Sequence, residues 1–241
     1  MQSAVILGVG PLRGLGATLA RRCARAGLSV FLGGRNQEKL NRVAKTIEDD
    51  GGKAIAVVTD ACEEAQVRAL FEAADRDNHP LNFAAYTVDQ NARAPLLETS
   101  TELFTSLWRQ NMLGGFLFGR EAARHMLKHG KGSIFFTGAT ASLRARPPFT
   151  AFSSTKTGLR ALANGMAREF GPQGLHIAHL IIDGVIDGDR AHSQFPDFVQ
   201  AKGKDGLLQL DAIAETFWQI HCQSPSAWTH EIDLRPFAEI F

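Results

Sequence analysis

The chain has 241 residues, with 26 Lys and Arg against 25 Asp and Glu, and its formal net charge of +1 excludes an electrostatic nucleic-acid binder. With 44% apolar and 21% charged residues it has the composition of a folded globular protein, not of a disordered chain. Its 16 Phe and 3 Trp stand beside a single Tyr, Tyr86, so phenols for proton transfer are scarce.

Short β-type runs alternate with helical ones from the first residues onward, the pattern of a parallel sheet covered on both faces. Ala4 to Gly8 reads as the first strand. Leu15, Leu19, Cys23 and Ala26 then share one helical stripe, and Gly27 ends that helix. Ser29 to Leu32 is the second strand, followed by a helix whose Leu40, Val43, Ala44 and Ile47 recur at the helical period. Lys53 to Thr59 is the third, and Val67, Leu70, Phe71 and Ala74 mark the buried face of the next helix. After a fourth strand, Leu81 to Ala85, Thr99 and Glu102 form a capping box that opens a long helical stretch. That stretch breaks near Gly114 and Gly115 and ends close to Lys128. Ser133 to Thr137 is the fifth strand, and Leu159, Leu162, Ala163, Met166 and Phe170 form an amphipathic helix that stops at Gly171 and Pro172. His176 to Ile182 is the sixth.

From Gly184 to Gly206 the pattern loosens into an irregular segment, of the kind that closes over a ligand. A helix from Asp211 to Cys222 and a strand from Thr229 to Leu234 complete the chain. The expected fold class is therefore α/β, a doubly wound parallel sheet of Rossmann type with about seven strands. One domain over residues 1–241 is expected, with the irregular segment on the substrate side.

Cys23, Cys62 and Cys222 are too few and too widely spaced for a disulfide framework, and they lack metal-ligand spacing, so a reducing compartment and no metal are expected. The apolar run Ala4 to Leu7 is too short for a signal-peptide core, and no stretch approaches membrane-spanning length. The expectation is a cytoplasmic protein with neither membrane nor nucleic acid as partner.

Gly10, Gly14 and Gly16 lie between the first strand and the first helix, where bare backbone can approach a pyrophosphate at a helix N-terminus. Strand before and helix after favour dinucleotide binding over an empty tight turn. Gly34, ending the second strand, stands where an NAD enzyme places a carboxylate, and Arg35 follows it. With Arg13 in the glycine turn, two guanidinium groups can converge on a 2′-phosphate, so NADP is expected, with NAD the less favoured cofactor.

The spacing of Gly10, Gly14 and Gly16, with Leu15 between the last two, resembles the Gly-x-x-x-Gly-x-Gly of the short-chain dehydrogenases/reductases, and the resemblance continues over essentially the whole chain. It implies that Asp60 contacts the adenine, that Asn111 and Lys156 belong to the active-site tetrad, and that the backbone of Ile186 holds the nicotinamide carboxamide. The family's Asn-Asn-Ala-Gly corresponds to Phe83-Ala84-Ala85-Tyr86, which makes Ala84 a cofactor-side residue. Thr140 is the positional match for the catalytic Ser, with Ser142 as the alternative. Phe152 occupies the place of the catalytic Tyr, and Asp183-Gly184 replaces the family's Pro-Gly. The chain looks like a subgroup with Phe in that position.

A benzene ring moves no proton, so the standard proton transfer cannot run through Phe152. The replacement donor is a water held by Asn111 and Lys156, or Tyr86, although packing or loop surface is the favoured reading of Tyr86. The resemblance thus implies an NADP(H)-dependent oxidoreductase acting on a small carbonyl or alcohol, the alternative being a non-catalytic NADP(H)-binding protein. It also implies a homodimer or homotetramer; Leu103, Leu107, Phe116 and Phe118 are either its apolar contacts or core.

Overall fold

The structure, a computed structural model, describes residues 2–238. Every residue of Ser3–Leu7 (β1), Ser29–Gly34 (β2), Leu81–Tyr86 (β4) and Leu175–Ile182 (β6) is buried, as expected of strands covered on both faces. Lys53–Val58 (β3), Gly132–Ala139 (β5) and Glu231–Leu234 (β7) complete the set. The strands form one sheet in the order β3-β2-β1-β4-β5-β6-β7, and each neighbouring pair is parallel. The order reverses between β1 and β4, the topological switch point at which open α/β sheets bind ligands.

The apolar stripes read from the sequence place the helices. Leu15–Arg25 (α1), Gln37–Asp49 (α2) and, late in the chain, Leu210–His221 (α9) pack with Cys23, Val43 and Phe217 on one face of the sheet. Glu64–Arg76 (α3), Gly114–Met126 (α5) and Thr150–Phe170 (α6) cover the other through Phe71, Phe118 and Leu159. Each such fully buried side chain contributes roughly 1.5–3 kcal/mol by leaving water.

Some boundaries differ from the sequence reading. Thr101–Trp108 (α4) is capped by Ser100, whose hydroxyl accepts the Leu103 amide at 3.1 Å, while the Thr99 hydroxyl donates to the Pro95 carbonyl at 3.0 Å. Two adjacent hydroxyls compete for one cap, and the one that reaches the third amide takes it. The break in the long helix is a π turn, Arg109–Leu113, before the glycines. Gly114 lets this turn press on the sheet, since a Cβ there would collide with the Tyr86 hydroxyl and lie 3.1 Å from the Ala61 carbonyl oxygen. The segment after β6 carries two short helices, Asp189–Gln194 (α7) and Pro196–Lys202 (α8), of six and seven residues. β7 starts at Glu231, two residues later than expected.

Candidate active site

At the switch point the carboxyl ends of the strands open into a groove of about 900 Å³. Gly10, Arg13, Gly14, Leu15 and Gly16 line one end. Gly14 caps α1 without a side chain, so the first amides of that helix point at the groove unopposed. A Cβ on Gly16 would sit 2.7 Å from the Gly8 carbonyl oxygen, whereas one on Gly10 meets nothing within 4 Å. Glycine is thus required at Gly16 by packing, and at Gly10 the bare backbone faces open space. Arg13 is drawn across to the segment after β6, its guanidinium 3.1 Å from Asp187 and its carbonyl accepting the Asp189 amide at 2.9 Å.

Arg35, Lys39 and Asp60 line the groove beyond this turn. The Asn36 carboxamide caps α2 by accepting the Lys39 amide at 2.9 Å, which seats Lys39 in the first turn next to Arg35. Arg35 is exposed and has no carboxylate partner among the described residues. The Asp60 carboxylate accepts the Cys62 amide at 2.9 Å, fixing the chain as it leaves β3.

The opposite end is lined by Thr140, Phe152, Lys156 and Ile186. Lys156, 1% exposed, donates to the Thr137 carbonyl at 3.2 Å and pairs with Asp89 at 2.9 Å. Asp89 also holds Arg190 of α7 at 3.2 Å. Burial pushes the Asp89 carboxyl up, but Lys156 and Arg190 outweigh it and keep its pKa below the usual carboxylate value. Neither Asp89 nor Arg190 was singled out in the sequence; the only signal was an acidic residue just past the fourth strand. Phe152 is buried, its ring centroid 5.9 Å from the Lys156 ammonium. The Ser153 and Thr137 hydroxyls line the same end, buried and without a protein partner among the described residues.

Two expectations are corrected, and Tyr86 takes the packing role that the sequence favoured. Ala84 lies inside β4, fully buried and paired with Val5 and Ile134, and Thr87, Val88 and Asp89 line the groove in its stead. Ala84 falls within the strand that the sequence already indicated, and only the resemblance had put it beside the cofactor. Asn111 is fully buried in the π turn and does not line the groove. Its carboxamide accepts the Gln90 amide at 3.1 Å and donates to the Gln90 carbonyl at 2.8 Å and to Thr155 at 3.0 Å. Both amide protons are used, so Asn111 clamps the chain after β4 onto α6. Tyr86 is fully buried and donates to the Gln110 carbonyl, so it is core packing that supports the π turn.

The Thr140 hydroxyl donates to Asp183, and the other oxygen of that carboxylate receives Arg144 at 2.6 Å and Arg235 at 3.2 Å. Asp183 is 3% exposed. Burial raises its pKa, but the Thr140 bond and the two arginines prevail and hold it below the ordinary value. Ser142 accepts the Ala139 amide at 3.1 Å within the backbone turn. Ile186 reaches the groove where it bridges to Leu208, and its carbonyl accepts the Gly188 amide at 2.9 Å. Among the described residues, no cluster of His, Cys, Asp and Glu is arranged to hold a metal, and no helix is long and apolar enough to cross a membrane.

Comparison with known proteins agrees with this layout. The sequence matches the short chain dehydrogenase family over residues 4–197. Gluconate 5-dehydrogenase of Gluconobacter oxydans is 34% identical over 177 residues, which are 73% of this chain and 69% of that protein. A short-chain dehydrogenase from Rhodopseudomonas palustris superimposes with a TM-score of 0.84 at 40% identity, covering 98% of this chain and 99% of that one. A gluconate 5-dehydrogenase from Burkholderia cenocepacia, solved with NADP and tartrate, superimposes with a TM-score of 0.83 at 28% identity, covering 98% and 94%. With a seven-stranded sheet in the doubly wound order and a family match that spans most of its length, this chain belongs to the short chain dehydrogenase family.

Proposed function

We propose that this protein is an NADP(H)-dependent oxidoreductase acting on a small-molecule alcohol or carbonyl, with a proton path that bypasses Phe152. The observation that carries the reading is a groove at the switch point with a glycine turn at one end, the cations Arg35 and Lys39 beside it, and buried Lys156 at the other end. The amides of Gly14, Leu15 and Gly16 would hold the diphosphate at the start of α1, and Arg35 with Lys39 the 2′-phosphate. Asp60 would meet the adenine, Lys156 the nicotinamide ribose, and the Ile186 backbone the carboxamide. When bound, the nicotinamide supplies or accepts the hydride.

The remaining work falls to the chain's own groups. Lys156 and Asp89 place opposite charges where the ribose and substrate meet, and Phe152, Phe149, Phe195 and Phe198 offer apolar wall that excludes water. Holding hydride donor and acceptor together is worth roughly 7–11 kcal/mol at best, against roughly 10²- to 10⁴-fold for a positioned general acid. Loss of the phenol alone therefore leaves a slow catalyst. The relatives named for gluconate 5-dehydrogenase activity and the relative solved with NADP support the assignment.

A non-catalytic NADP(H)-binding protein is the second reading, favoured by Lys156 being occupied by Asp89 and by Phe152 itself. NADPH oxidation against a broad panel of aldehydes and ketones separates the two. Turnover above cofactor decay supports the enzyme; none with the native chain, but a large gain in Phe152→Tyr, supports a pocket that binds without reacting. We also propose a homodimer or homotetramer in a reducing compartment. Leu107 and Phe118 belong to the core, whereas Phe104, Trp108 and Phe116 of α4 and α5 are exposed apolar surface, and sedimentation velocity tests the assembly.

A further inference from the structure

A buried carboxylate, Asp183, stands at the reactive end of the groove. Two departures from the family pattern occur together in this chain: Phe152 in place of the Tyr, and Asp183 in place of a Pro. The fold brings the second of these onto Thr140, the residue in the position of the catalytic Ser. Thr140, Asp183 and Arg144 all line the groove.

A hydroxyl has one proton to give, and that of Thr140 is given to Asp183 Oδ1. What Thr140 Oγ1 offers the groove is therefore a lone pair. A substrate alcohol can donate to it, whereas a carbonyl oxygen finds no donor there. The carboxylate cannot turn away, because Oδ2 is held by Arg144 at 2.6 Å and Arg235 at 3.2 Å, and Arg235 is itself tied to Asp233. These are the charged groups that face Asp183 from the turn after β5 and from the chain around the end of β7.

We propose that Asp183, reached through the Thr140 hydroxyl, takes the proton released when an alcohol is oxidised in this groove. The idea rests on the oxidoreductase reading above. The carbinol C–H bond breaks, and its hydride would pass to the oxidised nicotinamide cofactor that the groove would hold. The alcohol O–H bond breaks and its proton bonds to Thr140 Oγ1, while the Thr140 proton passes to Asp183 Oδ1, leaving a carbonyl, reduced cofactor and a neutral carboxyl. The carboxyl then loses its proton to water. Thr140 is the contact residue and Asp183 a relay behind it.

The pH dependence follows from charge. Oxidation uses the ionised carboxylate, the form that Arg144 and Arg235 favour, whereas reduction needs the scarce protonated form. Oxidation should then hold its rate as pH falls from about 8 towards 5, and reduction should rise over the same range.

The test uses the full-length protein with oxidised NADP and three alcohol probes, gluconate, cyclohexanol and 1-phenylethanol, with variants Thr140→Val, Thr140→Ser, Asp183→Asn and Phe152→Tyr. Thr140→Val and Asp183→Asn are each expected to lower kcat for oxidation by roughly 10²- to 10⁴-fold. Combined they should cost little more than either alone, as members of one unit do. Thr140→Ser should recover most of what Thr140→Val loses, with the cofactor affinity of Thr140→Val unchanged and its melting temperature lowered by the lost bond to the carboxylate. Because Asp183→Asn disturbs two ion pairs and can fail to fold, Thr140→Val carries the argument. Carbon-13 NMR of the Asp183 carboxyl gives a readout without turnover: its titration should move to higher pH in Thr140→Val. A native rate and pH profile in Thr140→Val, or an unmoved Asp183 titration, overturns the relay and leaves the oxidoreductase reading standing; oxidation that appears only in Phe152→Tyr overturns the relay and favours the binding reading. No oxidation of any probe by the native chain or by Phe152→Tyr removes both.

Discussion

Selection between the two nicotinamide cofactors should respond differently to changes at two adjacent positions. Gly34→Asp puts a carboxylate where an NAD enzyme has one, but a Cβ there collides with the Val9 carbonyl oxygen and lies 3.3 Å from Leu40 Cδ2. Val9 leads into the glycine turn and its amide already bonds Gly33 at 2.9 Å, so the backbone must yield. Overpacking of this kind costs roughly 1–3 kcal/mol, and about 2–4 °C of melting temperature per kcal/mol in a chain of this size. Both cofactors should weaken, because the turn that holds the diphosphate is the part that moves. Arg35→Asp, on an exposed side chain, should leave the melting temperature alone. It would remove the charge-assisted hydrogen bonds proposed to the 2′-phosphate, worth about 1.5–3 kcal/mol, so NADPH should weaken by about tenfold or more and NADH hardly at all. Differential scanning calorimetry and titration calorimetry on the two variants read both effects. Tighter NADH binding by Gly34→Asp with an unchanged melting temperature would refute the packing argument.

Three further outcomes follow from the same structure. Tyr86→Phe leaves the Gln110 carbonyl without its donor and should cost about 1–3 kcal/mol in urea unfolding while kcat stays at the native value; a collapse of kcat with intact folding would restore Tyr86 as a proton donor. Asn111→Ala removes three hydrogen bonds from a buried site, an expected loss of roughly 3 kcal/mol, and should increase hydrogen exchange of the Gln90 amide. Burial lowers the pKa of His179, against its bond to Glu231, and that of His221, each to about 4. The unfolded chain, titrating near ~6.5, binds more protons between these values, so stability should fall as pH drops from about 6.5 to 4. The slope is at most about 1.4 kcal/mol per pH unit for each histidine, and a flat urea midpoint between pH 7 and 5 would contradict it.

The fold was legible because its signals are local. Leu40, Val43, Ala44 and Ile47 mark α2 and all four are buried, and Gly10, Gly14 and Gly16 sit in the turn that a diphosphate requires. Elements without periodicity were read poorly, α7 and α8 being too short for a stripe, and Ala84 was misplaced because the resemblance carried a loop motif onto residues that continue β4. The site was legible in part. Lys156, Thr140, Phe152 and Arg35 reach the groove, whereas the contacts that set their chemistry join distant stretches. Asp89 meets Lys156 and Asp183 meets Thr140 across the sheet edge, and nothing in either neighbourhood along the chain announces the partner. Asn111 shows the reverse: a residue with a role implied by resemblance whose polar atoms are consumed by the backbone of residue 90 and by Thr155.

The central claim, a groove that holds NADP at the switch point with Arg35 reading its 2′-phosphate, is tested most directly by titration calorimetry of the native protein with NADPH and NADH. One site per chain, with NADPH bound at least about tenfold more tightly than NADH, is the result that the proposed function predicts. Equal affinity, tighter NADH, or no heat from either cofactor would contradict it.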